Sequence, residues 1–267
     1  MVRDHRDVVR PRVCGMDLEL DGRVFVVTGG SAGLGRATAE ALVADGARVV
    51  VSGRHQDSVD RTVSDLGPRS ATGVVADNAD SGTPARLVEA ARSAYGRLDG
   101  ALVSVGGPAG GTVLTTSEAD WSAAWESVFL GGLRLGREIG AELGPGGAIA
   151  FVLSSSVKAP ITGLAISNGL RPGLAMVAKD LADELGPRGV RVNGLLPGRV
   201  ETDRVRWLDE QTGDRDAAKE RTSAAIPLRR YGRPEEFGRT AAFVLSPAAS
   251  FLTGVMLPVD GGMVRSL

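Results

Sequence analysis

Short runs of apolar residues alternate along this chain with longer stretches in which apolar positions recur every three to four residues. Arg23-Val-Phe-Val-Val-Thr28 and Ala47-Arg-Val-Val-Val-Ser52 have the length and β-branched content of buried strands. Between them, Leu34, Ala37, Ala41 and Ala44 mark one face of a helix from Gly33 to Asp45, closed by Gly46. The same reading predicts a polar helix over about Asp57–Leu66, a strand at Gly73–Ala76, and a helix that Pro84 opens and that reaches Tyr95. Leu98–Val105 and Ala148–Leu153 read as strands on either side of one long helix from Ser117 to Glu142. A second long helix covers about Gly163 to Leu185, its middle weakened by Gly169, Pro172 and Gly173. Val190–Leu195 and Met256–Val259 complete the strands. Strands alternating with helices predict an α/β fold, a parallel sheet of about seven strands with helices on both faces.

At 267 residues, one large core is enough for the chain. We expect a single domain over 16–267, with the polar segment Glu201–Pro227 forming a helical flap. Residues 1–15 carry scattered charges and lack the apolar core of a secretory signal, and Met16 looks like a natural start, so they read as a disordered extension. The formal net charge of -1 leaves no broad field to attract nucleic acid or an anionic membrane. No run of about 18 apolar residues predicts a membrane span. The lone cysteine, Cys14, excludes an intrachain disulfide and fits a reducing cytoplasm. No metal site is expected.

Candidate chemistry begins at Thr28-Gly29-Gly30-Ser31-Ala32-Gly33-Leu34-Gly35, between the first strand and the first helix. Glycines there permit a tight turn and close backbone approach, and the helix N-terminus offers free N–H groups to a pyrophosphate. After the second strand, Ser52-Gly53-Arg54 lacks the acid that usually binds the ribose 2′-hydroxyl of NAD. Arg54 could instead clamp a 2′-phosphate, or simply solvate a loop in an Arg-rich protein. Trp121 and Trp125, four apart, suggest a packing face rather than a site.

The spacing Thr-Gly-x-x-x-Gly-x-Gly resembles the short-chain dehydrogenase/reductase family, and the resemblance runs through most of the chain from Met16. Asp77-Asn78, Pro197-Gly198 with Thr202, Tyr231-Gly-Arg-Pro-Glu-Glu236, Phe251-Leu-Thr-Gly254 and Val259-Asp-Gly-Gly262 continue it in order. The look is closest to reductases of the 3-oxoacyl-carrier-protein type. The resemblance implies a Rossmann-type doubly wound fold and a nicotinamide cofactor, NADP(H) before NAD(H). It places that cofactor on Thr28, Gly29, Ser31, Ala32, Gly33, Leu34, Gly35, Arg54, Asp77, Asn78, Gly106, Arg171, Pro197, Gly198, Val200 and Thr202. It also implies a homo-oligomer, a tetramer or dimer, built on the two long helices, where Gly131, Gly132 and Gly140 would permit close approach.

Where that family carries its chemistry, the chain departs. A Ser at the end of strand five, a Tyr 13 residues on, a Lys four further and an Asn in the preceding long helix make up the family's proton relay. Here the positions hold Ser154, Ser167, Arg171 and Val128, and Ser104-Val105-Gly106-Gly107 replaces the usual Asn-Asn-Ala-Gly. Ser154 can polarise a carbonyl and Arg171 can hold a ribose hydroxyl. Ser167, water or Lys158 must then supply the proton, although Lys158 also reads as a solvated loop residue. Three outcomes stay open: an oxidoreductase acting on a ketone or alcohol, free or carrier-linked; a cyclase, isomerase or dehydratase on the same scaffold; or a cofactor-binding protein without catalysis.

Overall fold

In the computed structural model, residues 17–266 are described; the proposed extension at 1–15 lies outside them. Seven parallel strands form one sheet in the order β3-β2-β1-β4-β5-β6-β7. These are β1 (Val24–Val27), β2 (Arg48–Gly53), β3 (Ala71–Val75), β4 (Gly100–Ser104), β5 (Ala148–Val152), β6 (Arg191–Pro197) and β7 (Met256–Val259). The helices are α1 (Gly33–Ala44), α2 (Gln56–Leu66), α3 (Thr83–Tyr95), α4 (Glu118–Ala124), α5 (Gly131–Glu142), α6 (Ala165–Leu185), α7 (Asp203–Glu210), α8 (Arg215–Ala225) and α9 (Pro234–Leu245). None of the described helices is long and apolar enough to cross a membrane.

The period-two geometry of a strand divides its residues between two cores. Val24 and Val26 of β1 point with Val103, Leu135 and Phe151 toward the layer of α3, α5 and α6. Phe25 and Val27 point the other way, with Leu42 and Phe237, toward α1, α2 and α9. Burial on both faces explains why the strands read as continuous apolar runs. Chain order reverses between β1 and β4, and in a doubly wound sheet the crevice beyond the strand ends at such a reversal is where ligands bind.

Three expectations need correction. The helix expected from Ser117 to Glu142 is helical throughout, but Trp125–Leu130 is a π-helical segment between α4 and α5. Side-chain periodicity does not reveal the extra residue per turn, and such bulges are frequent at functional sites. Gly169 and Gly173 do not interrupt α6. A Cβ at Gly169 would stand 2.7 Å from the Trp121 ring, and one at Gly173 would stand 3.0 Å from Phe129. These glycines make room for aromatic side chains of α4 and the π segment. Finally, Gly132 faces Leu174, Gly140 faces Leu185 and Gly131 faces the Asn78 carbonyl, so all three serve packing within the subunit. They are not the outward face of a subunit contact. Helix α9, for which the apolar pattern gives no expectation, lies along α1 so closely that a Cβ at Gly238 would meet the Ala37 carbonyl at 2.3 Å. That contact fixes the helix whose N-terminus faces the cavity.

Candidate active site

A cavity of about 780 Å³ opens at the C-terminal ends of the strands, over the reversal point. Its floor at one end is the turn into α1. A Cβ at Gly35 would lie 2.3 Å from the Gly29 carbonyl oxygen, so the turn can close only around glycine. No side chain caps α1 and no acid occupies its first turn. The N–H groups there, with the positive end of the helix dipole, stay available to an anionic ligand. Thr28 stands below this floor rather than in it. Its hydroxyl donates to the Ser104 carbonyl at 2.9 Å and accepts from the Ser104 N–H at 2.7 Å, tying the ends of β1 and β4 together.

Every other residue assigned to the cofactor from the sequence lines this cavity, from Gly29 through Arg54, Asp77 and Asn78 to Thr202. At the far end of β2, a Cβ on Gly53 would lie 2.3 Å from Ser31 Oγ and 3.2 Å from Val59. An acid at that position would have to displace both side chains. Arg54, Ser31, His55 and Ser58 line the same corner. The turn, the open helix end and this corner together fit a dinucleotide.

At the other end, β5 delivers Ser154 in extended backbone. Its Oγ accepts the Ser156 N–H at 3.1 Å, which leaves its own hydroxyl proton free to donate into the cavity. Ser156 in turn reaches α6. Its hydroxyl lies 3.2 Å from Ser167 Oγ, and both residues are buried. Ser167 and Arg171 lie one helical turn apart and both line the cavity. Val128, where the family carries asparagine, lines it from the π segment. Lys158 is exposed and outside the cavity lining, so it is placed away from the reacting end.

Arg171 is 6% exposed. Its guanidinium donates from Nη1 to the Val152 carbonyl at 2.8 Å and from Nη2 to the Gly106 carbonyl, joining the end of β5 to the loop after β4. Burial, and secondarily the like charge of Arg204, pull its pKa down to about 10. Beside it, Asn168 fixes the loop over the cavity through a reciprocal pair with Ile161, each hydrogen bond 2.9 Å long. Sequence reasoning missed Arg204. It comes from α7 in the segment expected to be a flap, and it lines the cavity with Val205, Leu208 and Thr222. Its only sequence signal was a position two residues after Thr202. Among the described residues, no group of three or more His, Cys, Asp or Glu side chains could hold a metal ion.

A family model described as enoyl-(acyl carrier protein) reductase matches residues 29–264. This chain belongs to the short-chain dehydrogenase/reductase family. Dehydrogenase/reductase SDR family member 4 of Sus scrofa is 34% identical over 256 residues, covering 93% of this chain and 89% of the relative. Among solved structures, L-sorbose reductase from Gluconobacter frateurii, complexed with NADPH and L-sorbose, is 28% identical with a TM-score of 0.87. That match covers 94% of this chain and 100% of the other. A single-substitution variant of actinorhodin polyketide ketoreductase with NADPH is 27% identical with a TM-score of 0.85, covering 91% and 98% of the two chains. The seven-stranded parallel sheet is thus the Rossmann-type fold of an oxidoreductase family.

Proposed function

We propose that the protein is an NADP(H)-dependent ketone reductase whose proton relay uses hydroxyl groups in place of the family's tyrosine. One observation carries this reading: a single cavity joins the glycine turn and open α1 terminus to the hydroxyl of Ser154. The cofactor is NADP(H), in keeping with the NADPH-bound reductases of the same fold. When bound, NADPH supplies the hydride that reduces the carbonyl carbon. Ser154 holds the carbonyl oxygen by donating its hydroxyl proton while the Ser156 N–H supports its Oγ. Arg171 holds the cavity wall in shape through Val152 and Gly106 and presents its remaining N–H groups to a ribose hydroxyl. The proton comes from solvent water entering the open cavity and reaches the product oxygen directly or through Ser167, which regains the proton it gives from that water and is held by its contact with Ser156. An aliphatic alcohol is a much weaker acid than a phenol, so this relay is slow compared with a tyrosine relay. The named relatives are dehydrogenases and reductases, which favours redox chemistry over a cyclase, isomerase or binding-only role.

The test follows NADPH absorbance with a panel of ketones. NADPH oxidation matched mole for mole by alcohol product supports the reading. Product formed without NADPH consumption, or cofactor binding with no turnover on the whole panel, counts against it.

Arg54 gives a second test. Arg54→Ala should weaken NADP⁺ about 10–100-fold, the range for a lost charged hydrogen-bonding contact, and leave NAD⁺ nearly unchanged. Calorimetric titration with both cofactors measures this, and equal losses for the two would remove Arg54 from the phosphate site.

Oligomerisation belongs to the same proposal. Trp125 is 44% exposed and stacks on Phe129 with ring centroids 4.4 Å apart, while Met176 on α6 is 65% exposed. These apolar side chains lie on the two long helical elements through which family members associate. Light scattering at micromolar concentration should give a dimer or tetramer, and Trp125→Glu should shift it toward monomer. A wild-type monomer would refute the assignment.

A further inference from the structure

The reacting end of the cavity has an unusual charge balance. Arg171 and Arg204 grip one short loop from two sides. Arg171 Nη2 donates to the Gly106 carbonyl, and Arg204 Nη2 donates to the Pro108 carbonyl. Arg204 lies so close over the loop that a Cβ at Gly107 would stand 2.7 Å from its Nε. The Trp207 ring supports the guanidinium from the other side, 4.6 Å from Cζ to the ring centroid. Two residues of chain span at most about 7 Å, so both cations are held over the same stretch of wall.

Neither guanidinium has a carboxylate partner among the described residues; their acceptors are main-chain carbonyls. The other charged groups around this end are already paired. Asp203 binds Arg206 with its side chain 82% exposed, and Arg199 binds Asp209 at 3.2 Å. At the opposite end, Asp77 accepts the Ala79 N–H. Burial lowers the pKa of Arg204 as it does that of Arg171. Buried charges are ordinarily paired, because desolvating an uncompensated ion is costly. Arg171 is buried and Arg204 half-buried, and two cations in one cavity wall attract a counter-anion; the planar fork of arginine matches a carboxylate or phosphate.

We infer that the ketone substrate carries its own oxyanion, a carboxylate or a phosphate monoester, which Arg204 binds with support from the positive field of Arg171. This rests on the ketone-reductase reading for the word substrate, though the anion site can be tested without turnover. Arg204 is then the residue that selects oxo acids or oxo phosphates over neutral ketones. Its seat on α7 already ties the segment after Thr202 to the Pro108 carbonyl.

The experiment uses pairs in which one ketone carries the oxyanion and its neutral counterpart does not: acetoacetate against methyl acetoacetate, and dihydroxyacetone phosphate against dihydroxyacetone. Binding to the NADP⁺-loaded protein is measured by calorimetry, and kcat/KM with NADPH by absorbance. Wild type should favour the anion of at least one pair by about 10–100-fold, the range for a charged contact of this kind. The preferred pair distinguishes carboxylate from phosphate. In Arg204→Gln the ratio within that pair should collapse to about two-fold or less. Arg204→Lys keeps the charge without the fork and should fall between the two. Equal binding of acid and ester, and of phosphate and free ketone, overturns the inference while leaving the reductase reading intact. So does an Arg204→Gln variant that weakens NADP⁺ and the anions by the same factor, since the guanidinium would then serve the cofactor. If no ketone is reduced but the NADP⁺ form still discriminates the anions through Arg204, the anion site stands and the reductase reading fails.

Discussion

Placing tyrosine at 167 together with lysine at 171 should raise the single-turnover rate of ketone reduction by about 10²–10⁴-fold, the usual contribution of a well-matched general acid. The positions are one turn apart on α6 and both line the cavity, so the new phenol and ammonium would share a helix face. Ser167 lines the cavity, into which the new ring would project once it displaces the contact with Ser156. Lysine near a phenol favours its ionised form and brings the proton donor closer to neutral pH. Lysine at 171 still reaches one wall carbonyl, but it gives up the fork that joins Val152 to Gly106. Some loss of thermal stability should therefore accompany the gain. The measurement is stopped-flow NADPH absorbance on ketones that wild type also binds. No increase on any of them would mean that the missing Tyr-Lys pair is not what limits this site.

Ser154→Ala should act in the opposite direction, lowering hydride transfer by about 10²–10³-fold, as loss of one preorganised donor to a developing oxyanion does. Ser154 is placed for that role because its Oγ accepts the Ser156 N–H while its own proton stays free to donate. NADPH binding, followed by cofactor fluorescence, should stay within about two-fold of wild type, since the residues proposed to hold the phosphates line the other end of the cavity. Lys158→Met is the companion variant. With an exposed side chain outside the cavity, it should leave the rate within about two-fold. A Ser154→Ala enzyme as fast as wild type would exclude carbonyl polarisation by this hydroxyl. A large loss in Lys158→Met would return the proton to that loop.

Much of the architecture was legible because burial on both sheet faces leaves an unmistakable pattern. Val24–Val27, Val49–Val51 and Ala148–Val152 are apolar without interruption, and only a doubly covered parallel strand needs that. The turn into α1 was legible for a different reason. Its chemistry is local: glycines close a tight turn and the next helix supplies free N–H groups, all within eight consecutive residues. Sequence could also show what was missing, since the spacing from Ser154 to Ser167 to Arg171 is a count along one chain. Helix α9 is a different case. Arg233-Pro-Glu-Glu236 opens it with proline at the first turn and a capping glutamate, a start signal that apolar periodicity alone does not register.

The residues alone are enough for the family's sheet, the glycine turn into α1, and the absence of tyrosine and lysine at 167 and 171. Which groups stand around those two positions is visible only in the folded molecule. The Ser156–Ser167 contact spans eleven residues, the Arg171–Gly106 bond sixty-five, and the Arg204–Pro108 bond ninety-six. No periodicity relates the last two pairs, and the first depends on how the loop after β5 folds back onto α6. The same holds for the small residues of α5 and α6. Composition shows that they are glycines, but only packing shows that Gly132 and Gly169 face their own subunit's side chains. The physical reason is common to all of them. Local backbone preferences are written in adjacent residues, whereas the charge and hydrogen-bonding environment of a buried side chain depends on which distant segments the folded sheet brings beside it.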